Sequence, residues 1–294
     1  IEILKNIKLI LTFFTLWLSV FFTDVLEDYI AYFFILSLGI LHGANDLGVG
    51  EKTLKKYPIL SKKWVMLLFY VLSIFVVAFL LMQFPSVTLA LFVLLSAYHF
   101  GEQHWEPYLS NAGYVSKIFM MSYGMVVFFL LFNAHSILVI QIIADISGYW
   151  FSASVLKALL YVFIMITLLI YTIRYYSKFD GSFKVRQLFY LLVFFVVFNS
   201  TTLLWAFAIY FIFWHSLPSL LDQMNFLYGR RDFKGFVMFV KSSWLYWAMA
   251  VLSLGIYFLI IQHYYTLELS LFFAFLTALT IPHIFLMYFS KKVD

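Results

Sequence analysis

Residues 86–105 read SVTLALFVLLSAYHFGEQHW. About twenty apolar residues cross a bilayer core as an α-helix, and this run has that length. Its final part nevertheless packs His99, Glu102 and His104 into six positions. Apolar spans carry such groups where they face an interior and do something there. One stretch thus sets two expectations, a membrane helix bundle and chemistry inside it.

Composition points the same way. The 294 residues are 65% hydrophobic and 11% charged, with a mean hydropathy of +0.98, whereas soluble domains are nearer half apolar and a quarter charged. The expected fold is all-α, a polytopic membrane helix bundle forming a single transmembrane domain over residues 1–294. The 37 Phe, 21 Tyr and 8 Trp exceed what interfacial belts need and suit a cavity for a large flat or rod-like apolar ligand. The absence of cysteine excludes thiolate ligands, iron–sulfur clusters and disulfides, so a metal here must rest on His, carboxylate or water. No cleavable signal pattern is read at the start.

About ten spans are expected, eight at the fewest, over residues 7–22, 30–50, 64–84, 86–105, 116–132, 152–173, 187–198, 201–227, 244–262 and 267–289. Residues 23–29 read as an acidic turn, and 133–150 as an interfacial or re-entrant piece. With both termini in the cytoplasm, 18 of the 19 Lys and Arg fall on the cytoplasmic side and only Lys157 on the other. Asp24, Glu27, Asp28, Asp145 and Glu268 fall on the far side, as the positive-inside rule expects. The loops thereby account for the net charge of +5, and no nucleic-acid partner is needed.

Of the seven histidines, His135 and His263 fall at expected outer helix ends, where water satisfies an imidazole. His42, His99, His215 and His283 each come about 12–16 residues into a helix that runs inward, so at ~1.5 Å per residue they share a depth of roughly 20 Å. Four imidazoles at one level are what a metal site in a bundle core requires. Asp46, Glu102 and Asp222 follow them closely in sequence and are candidates to orient metal-bound rings. His99 and His104, five apart, diverge by about 140° on a regular helix. Both reach one metal only if the helix ends or bulges between them, and Gly101 is where that break would fall. No G-x-S-x-G elbow or phosphate-binding glycine loop occurs. The residues alone leave three readings open: a non-haem metal enzyme, a bis-His haem protein of electron transfer, and a His/Asp-lined ion or metal transporter.

The ordered boxes His42-Gly43-Ala44-Asn45-Asp46, His99-Phe100-Gly101, Trp214-His215-Ser216 and Ile281-Pro282-His283 resemble the Brp/Blh family. Its members are bacterial and archaeal β-carotene 15,15′-dioxygenases, integral membrane enzymes that cleave β-carotene into two retinals with O2. The resemblance implies a non-haem Fe(II) held by residues matching His42, His99 and His215, with a further His at the position of Ser219. It also implies a cell-membrane location in bacteria, lipid surroundings, and a retinal product usable by a rhodopsin. Two departures stand out: Ser219 is not His, and His104 stands where the family's box ends in Asp. His104 or His283 then supplies the missing ligand, or the position stays open. Tyr98, Phe100, Trp105, Phe211, Trp214 and Met287 are the expected lining of a carotenoid tunnel.

Overall fold

Backbone polar groups find no partners in lipid, so a spanning chain without a closed barrel must satisfy them within helices. The computed structural model describes residues 2–109, 113–260 and 268–293. Every regular element among the described residues is helical. Eight stretches are long and apolar enough to cross a membrane: Asp24–Thr53, Lys63–Gln83, Tyr114–Ala134, Ala153–Tyr175, Gly181–Ser200, Leu203–Tyr228, Phe233–Tyr257 and Glu268–Phe289. Two of the ten expected spans are outside that set. The first is short, an apolar Asn6–Ser19 within α1 (Glu2–Ser19). The other is helix α6 (Pro85–Trp105), made less apolar by the His99–His104 end. Residues 23–29 are not a turn: most of them begin α2 (Asp24–Phe34).

By their contacts the helices form two compact units. One comprises Ile1–Ala31, Ala90–Ala144 and Gly148–Tyr210. Helix α7 (Tyr114–Ala134), buried along much of its length, packs on α9 (Ala153–Ile170), α10 (Gly181–Ser200) and the wholly buried α11 (Leu203–Ile209). Helix α6 approaches α7 at paired small residues. A Cβ on Gly101 would stand 1.8 Å from the Met120 carbonyl oxygen, and one on Gly124 would stand 1.9 Å from that of Ala97. Helices pack this closely in membranes only where side chains are absent or minimal.

The seventh span is longer than expected. Asp180 caps α10, accepting from the Phe183 N–H at 2.8 Å, and Lys184 and Arg186, expected in a loop, lie on the helix itself. Their cations sit over the rings of Tyr176 and Phe183, so their stems extend along aromatic surface. The start of α11 is held by acids of α2: the Thr202 N–H donates to Glu27 at 2.8 Å and its hydroxyl to Asp28 at 2.7 Å.

The other unit comprises Tyr32–Leu89, Asp145–Ser147 and Phe211–Asp294. Here α14 (Glu268–Val293) packs on α5 (Lys63–Gln83) and α4 (Asp46–Thr53). Helix α12 (Leu217–Tyr228) packs on α13 (Phe233–Ile260), α4 and α3 (Ile40–Gly43). Leu41, Leu220, Met224 and Phe239 form a buried cluster within it. His42, His215 and His283 all belong to this unit.

Candidate metal centre

Two of the three histidines at the centre are placed by π-helical segments. The segment Ile35–Gly39 leads into α3. A π turn shifts the hydrogen-bond register by one residue and leaves carbonyls that need outside donors. Trp247 Nε1–H donates to the Leu36 carbonyl at 2.7 Å, and His42 Nδ1–H donates to that of Gly39. A carbonyl only accepts, so this bond puts the ring proton on Nδ1 and leaves a lone pair on Nε2. That Nε2 is buried with no hydrogen-bond partner. Gly39 itself is required by crowding, since a Cβ there would lie 2.7 Å from Phe211 Cε1.

His215 lies inside the second of these segments, Tyr210–Ser216. Its ring stacks on Phe211 four residues earlier, with centroids 5.6 Å apart and planes 18° from parallel. His283 follows Pro282 within α14. Its Nδ1–H is shared between the two Asp46 carboxylate oxygens, each at 2.9 Å, and Tyr70 on α5 donates its hydroxyl to Asp46 Oδ2 at 3.1 Å. Asp46 opens α4, after the chain leaves helical geometry at Asn45.

The three rings converge. His42 is 5.1 Å, centroid to centroid, from both His215 and His283, nearly edge-on to each. One ligand nitrogen from each of the three lies within 4.8 Å of the others, and all three residues are buried. The donor set fits a borderline divalent ion: three neutral imidazoles suit Fe, Zn, Cu or Ni. A ring whose other nitrogen is committed to a carbonyl (His42) or a carboxylate (His283) is the usual form of a metal-bound imidazole. The orphaned Nε2 of His42, which otherwise costs desolvation energy, would gain a partner in the ion.

The remaining candidates fall elsewhere. Ser219 is buried and accepts from Gln223 Nε2 at 3.4 Å. Asp222 is exposed and pairs with Arg231 at 3.0 Å. Trp214 is buried near His215 in sequence, and Met287 is half-buried on α14. His99, Glu102, His104, Tyr98, Phe100 and Trp105 belong to the other unit. There Tyr98 donates to Glu102 at 2.7 Å, and Phe100 stacks on Phe128 at 5.5 Å. Trp105 meets Phe119 edge-on at 4.8 Å. His104 Nε2 bonds Gln187 Oε1 at 2.7 Å, and its ring stacks on Tyr123.

The bulge that a shared metal would need at Gly101 is absent, because α6 is α-helical throughout Pro85–Trp105. Gly101 is there for the close approach to α7. His135 joins α7 to α8 (Ser136–Ser147), and partial burial pulls its imidazole below the usual histidine range. His263 lies outside the described residues. Sequence reasoning missed Tyr70, whose one signal is a lone phenol in the apolar run of α5, and Gly39, three residues before His42.

These features define a helical membrane protein with an interior three-histidine group able to hold a metal ion. Residues 33–291 match the family model of beta-carotene 15,15′-dioxygenase, and the chain belongs to that family. Membership implies β-carotene dioxygenase activity, an oxidoreductase acting on that substrate. Neither a curated protein nor a solved structure matches the chain.

Proposed function

We propose that the protein cleaves the central double bond of β-carotene with O2, giving two molecules of retinal, at an Fe(II) held by His42, His215 and His283. The observation that carries this reading is the convergence of three buried imidazoles in a chain of the dioxygenase family. Iron bound there supplies the O2 and one-electron chemistry that no side chain provides. The chain's own part is to hold and shield. Gly39 and Asp46 fix the ring protons of His42 and His283 on Nδ1, so both Nε2 atoms are ligands without competing protons. Phe211 covers His215 with a stacked, buried ring, which suits a flat polyene and excludes water from a reaction that adds both oxygen atoms to the two new carbonyls.

In this reading His283, rather than His104, compensates for Ser219. The resemblance alone names His99 as a further candidate ligand. Iron per chain in His99→Ala tests it: a loss supports the role, and the wild-type level removes it. The charge distribution supports cytoplasmic termini, and the family resemblance adds a bacterial inner membrane, with substrate reaching the protein from the lipid.

The direct test is expression in a β-carotene-accumulating bacterium. Loss of colour with retinal in the extract is expected. Retained colour without retinal, from well-expressed and iron-loaded protein, would sink the assignment.

A further inference from the structure

His283 is turned toward His42 and His215 by a buried pair that sequence reasoning did not connect, Asp46 on α4 and Tyr70 on α5. We infer that Tyr70 and Asp46 act together as positioning residues that select the tautomer of His283 in which Nε2 is free to bind metal. This rests on the metal-centre reading above and deepens it.

Asp46 is 1% exposed, and every polar hydrogen known to meet it points at an oxygen: Nδ1–H of His283 reaches both, at 2.9 Å, and the Tyr70 hydroxyl reaches Oδ2 at 3.1 Å. An acceptor-only carboxylate satisfies both donors at once. It also forces His283 to carry its proton on Nδ1, since an unprotonated Nδ1 facing two carboxylate oxygens would be repelled. The free lone pair is then on Nε2, the atom remote from Asp46.

Asparagine at this position breaks the symmetry. Its amide has one oxygen and one NH2 group. A Tyr70 hydroxyl that keeps donating holds the amide oxygen at the Oδ2 position, so His283 Nδ1, 2.9 Å from both positions, meets NH2 at the Oδ1 one. That nitrogen then accepts, the ring proton moves to Nε2, and the ligand atom is lost. Tyr70 therefore determines how damaging Asp46→Asn is. Without the phenol hydroxyl the amide is free to rotate and present its oxygen to Nδ1–H, which restores the metal-binding tautomer. A role in packing alone predicts the opposite, that removing both groups is worse than removing one.

The test uses the full chain in detergent or nanodiscs, with Co(II) as probe because its ligand-field spectrum reports the donor set. Asp46→Asn is expected to weaken Co(II) binding about 10–100-fold, the usual range when a partner of a metal-bound His is lost. Tyr70→Phe alone costs a few-fold at most, by the same reasoning. The double variant Asp46→Asn/Tyr70→Phe binds more tightly than Asp46→Asn and regains the wild-type spectrum. Melting of the metal-free proteins, followed by circular dichroism, shows that each variant is folded. A double variant no tighter than the single one overturns the inference. So does Asp46→Asn binding at the wild-type level while His42→Ala binds nothing, which leaves the centre itself standing. A wild-type chain that takes up no Co(II) overturns centre and inference together.

Discussion

Replacing Gly101 by alanine tests why a glycine stands in the unbroken helix that carries His99 and His104. The added Cβ would sit 1.8 Å from the Met120 carbonyl oxygen, whereas real Cβ contacts essentially never fall under 3.0 Å. The obstacle is backbone on a buried helix, so no side-chain rotation relieves it and α6 must move off α7. Overpacking of this kind costs about 1–3 kcal/mol. For a chain of this size that is a fall of roughly 2–10 °C in melting temperature. Gly124→Ala meets the Ala97 carbonyl at 1.9 Å across the same helix pair, so one separation relieves both clashes. The double variant should therefore lose clearly less than the sum of the two single losses, since contacting sites are not additive. Thermal melts of purified protein, followed by circular dichroism, give all three values. Single variants that melt within about 1 °C of wild type, or losses that simply add, would refute the close-approach reading.

Further outcomes follow from the centre and from the helix ends. His42→Ala and His283→Ala are each expected to lower iron per chain severalfold and abolish retinal formation, whereas His104→Ala keeps its iron because that ring is engaged with Gln187; elemental analysis and retinal extraction measure both. Trp247→Phe removes the donor to the Leu36 carbonyl and should cost ~1 kcal/mol together with weaker Co(II) binding, because the π segment before His42 loses its support. The Phe183 N–H beside Asp180 holds that carboxyl below the usual aspartate range. A carboxyl depressed in the folded chain stabilises it above the unfolded value of about 4 and stops doing so as pH falls through the folded value. The melting-temperature gap between wild type and Asp180→Ala should thus be full at pH 6–7 and close progressively below about pH 4.

Much of the fold was legible because lipid leaves so few options. Long apolar runs separated by lysine-rich loops can only be helices, and their places came out within a few residues for most spans. The errors fell where polar residues lie on helices. Lys184 and Arg186 read as loop, yet their stems lie along aromatic rings of the helix ends. The acidic run 23–29 read as a turn, yet Glu27 and Asp28 hold Thr202 from within α2. Within the site, His42, His215 and His283 were visible as imidazoles at one depth, and the 140° divergence already set His104 apart from His99. The π segments were not visible, because a one-residue shift of hydrogen-bond register leaves no mark on composition. Nor was Tyr70, because its partner lies 24 residues earlier in the chain. The choice of carotenoid and any link to a rhodopsin rest on family resemblance, not on a contact within the chain.

The three converging histidines lie at positions 42, 215 and 283, the last on the final described helix. A chain made from its N-terminus therefore exposes two thirds of the ligand set long before the set can close. His42 and Asp46 are made early, within the span Asp24–Thr53, but Asp46 meets the His283 imidazole only once α14 is in place. The three imidazoles can thus come together only after α14 has been made and inserted. Ribosome stalling or proteolysis before α14 would leave a chain without the third imidazole, and so without the complete three-histidine group.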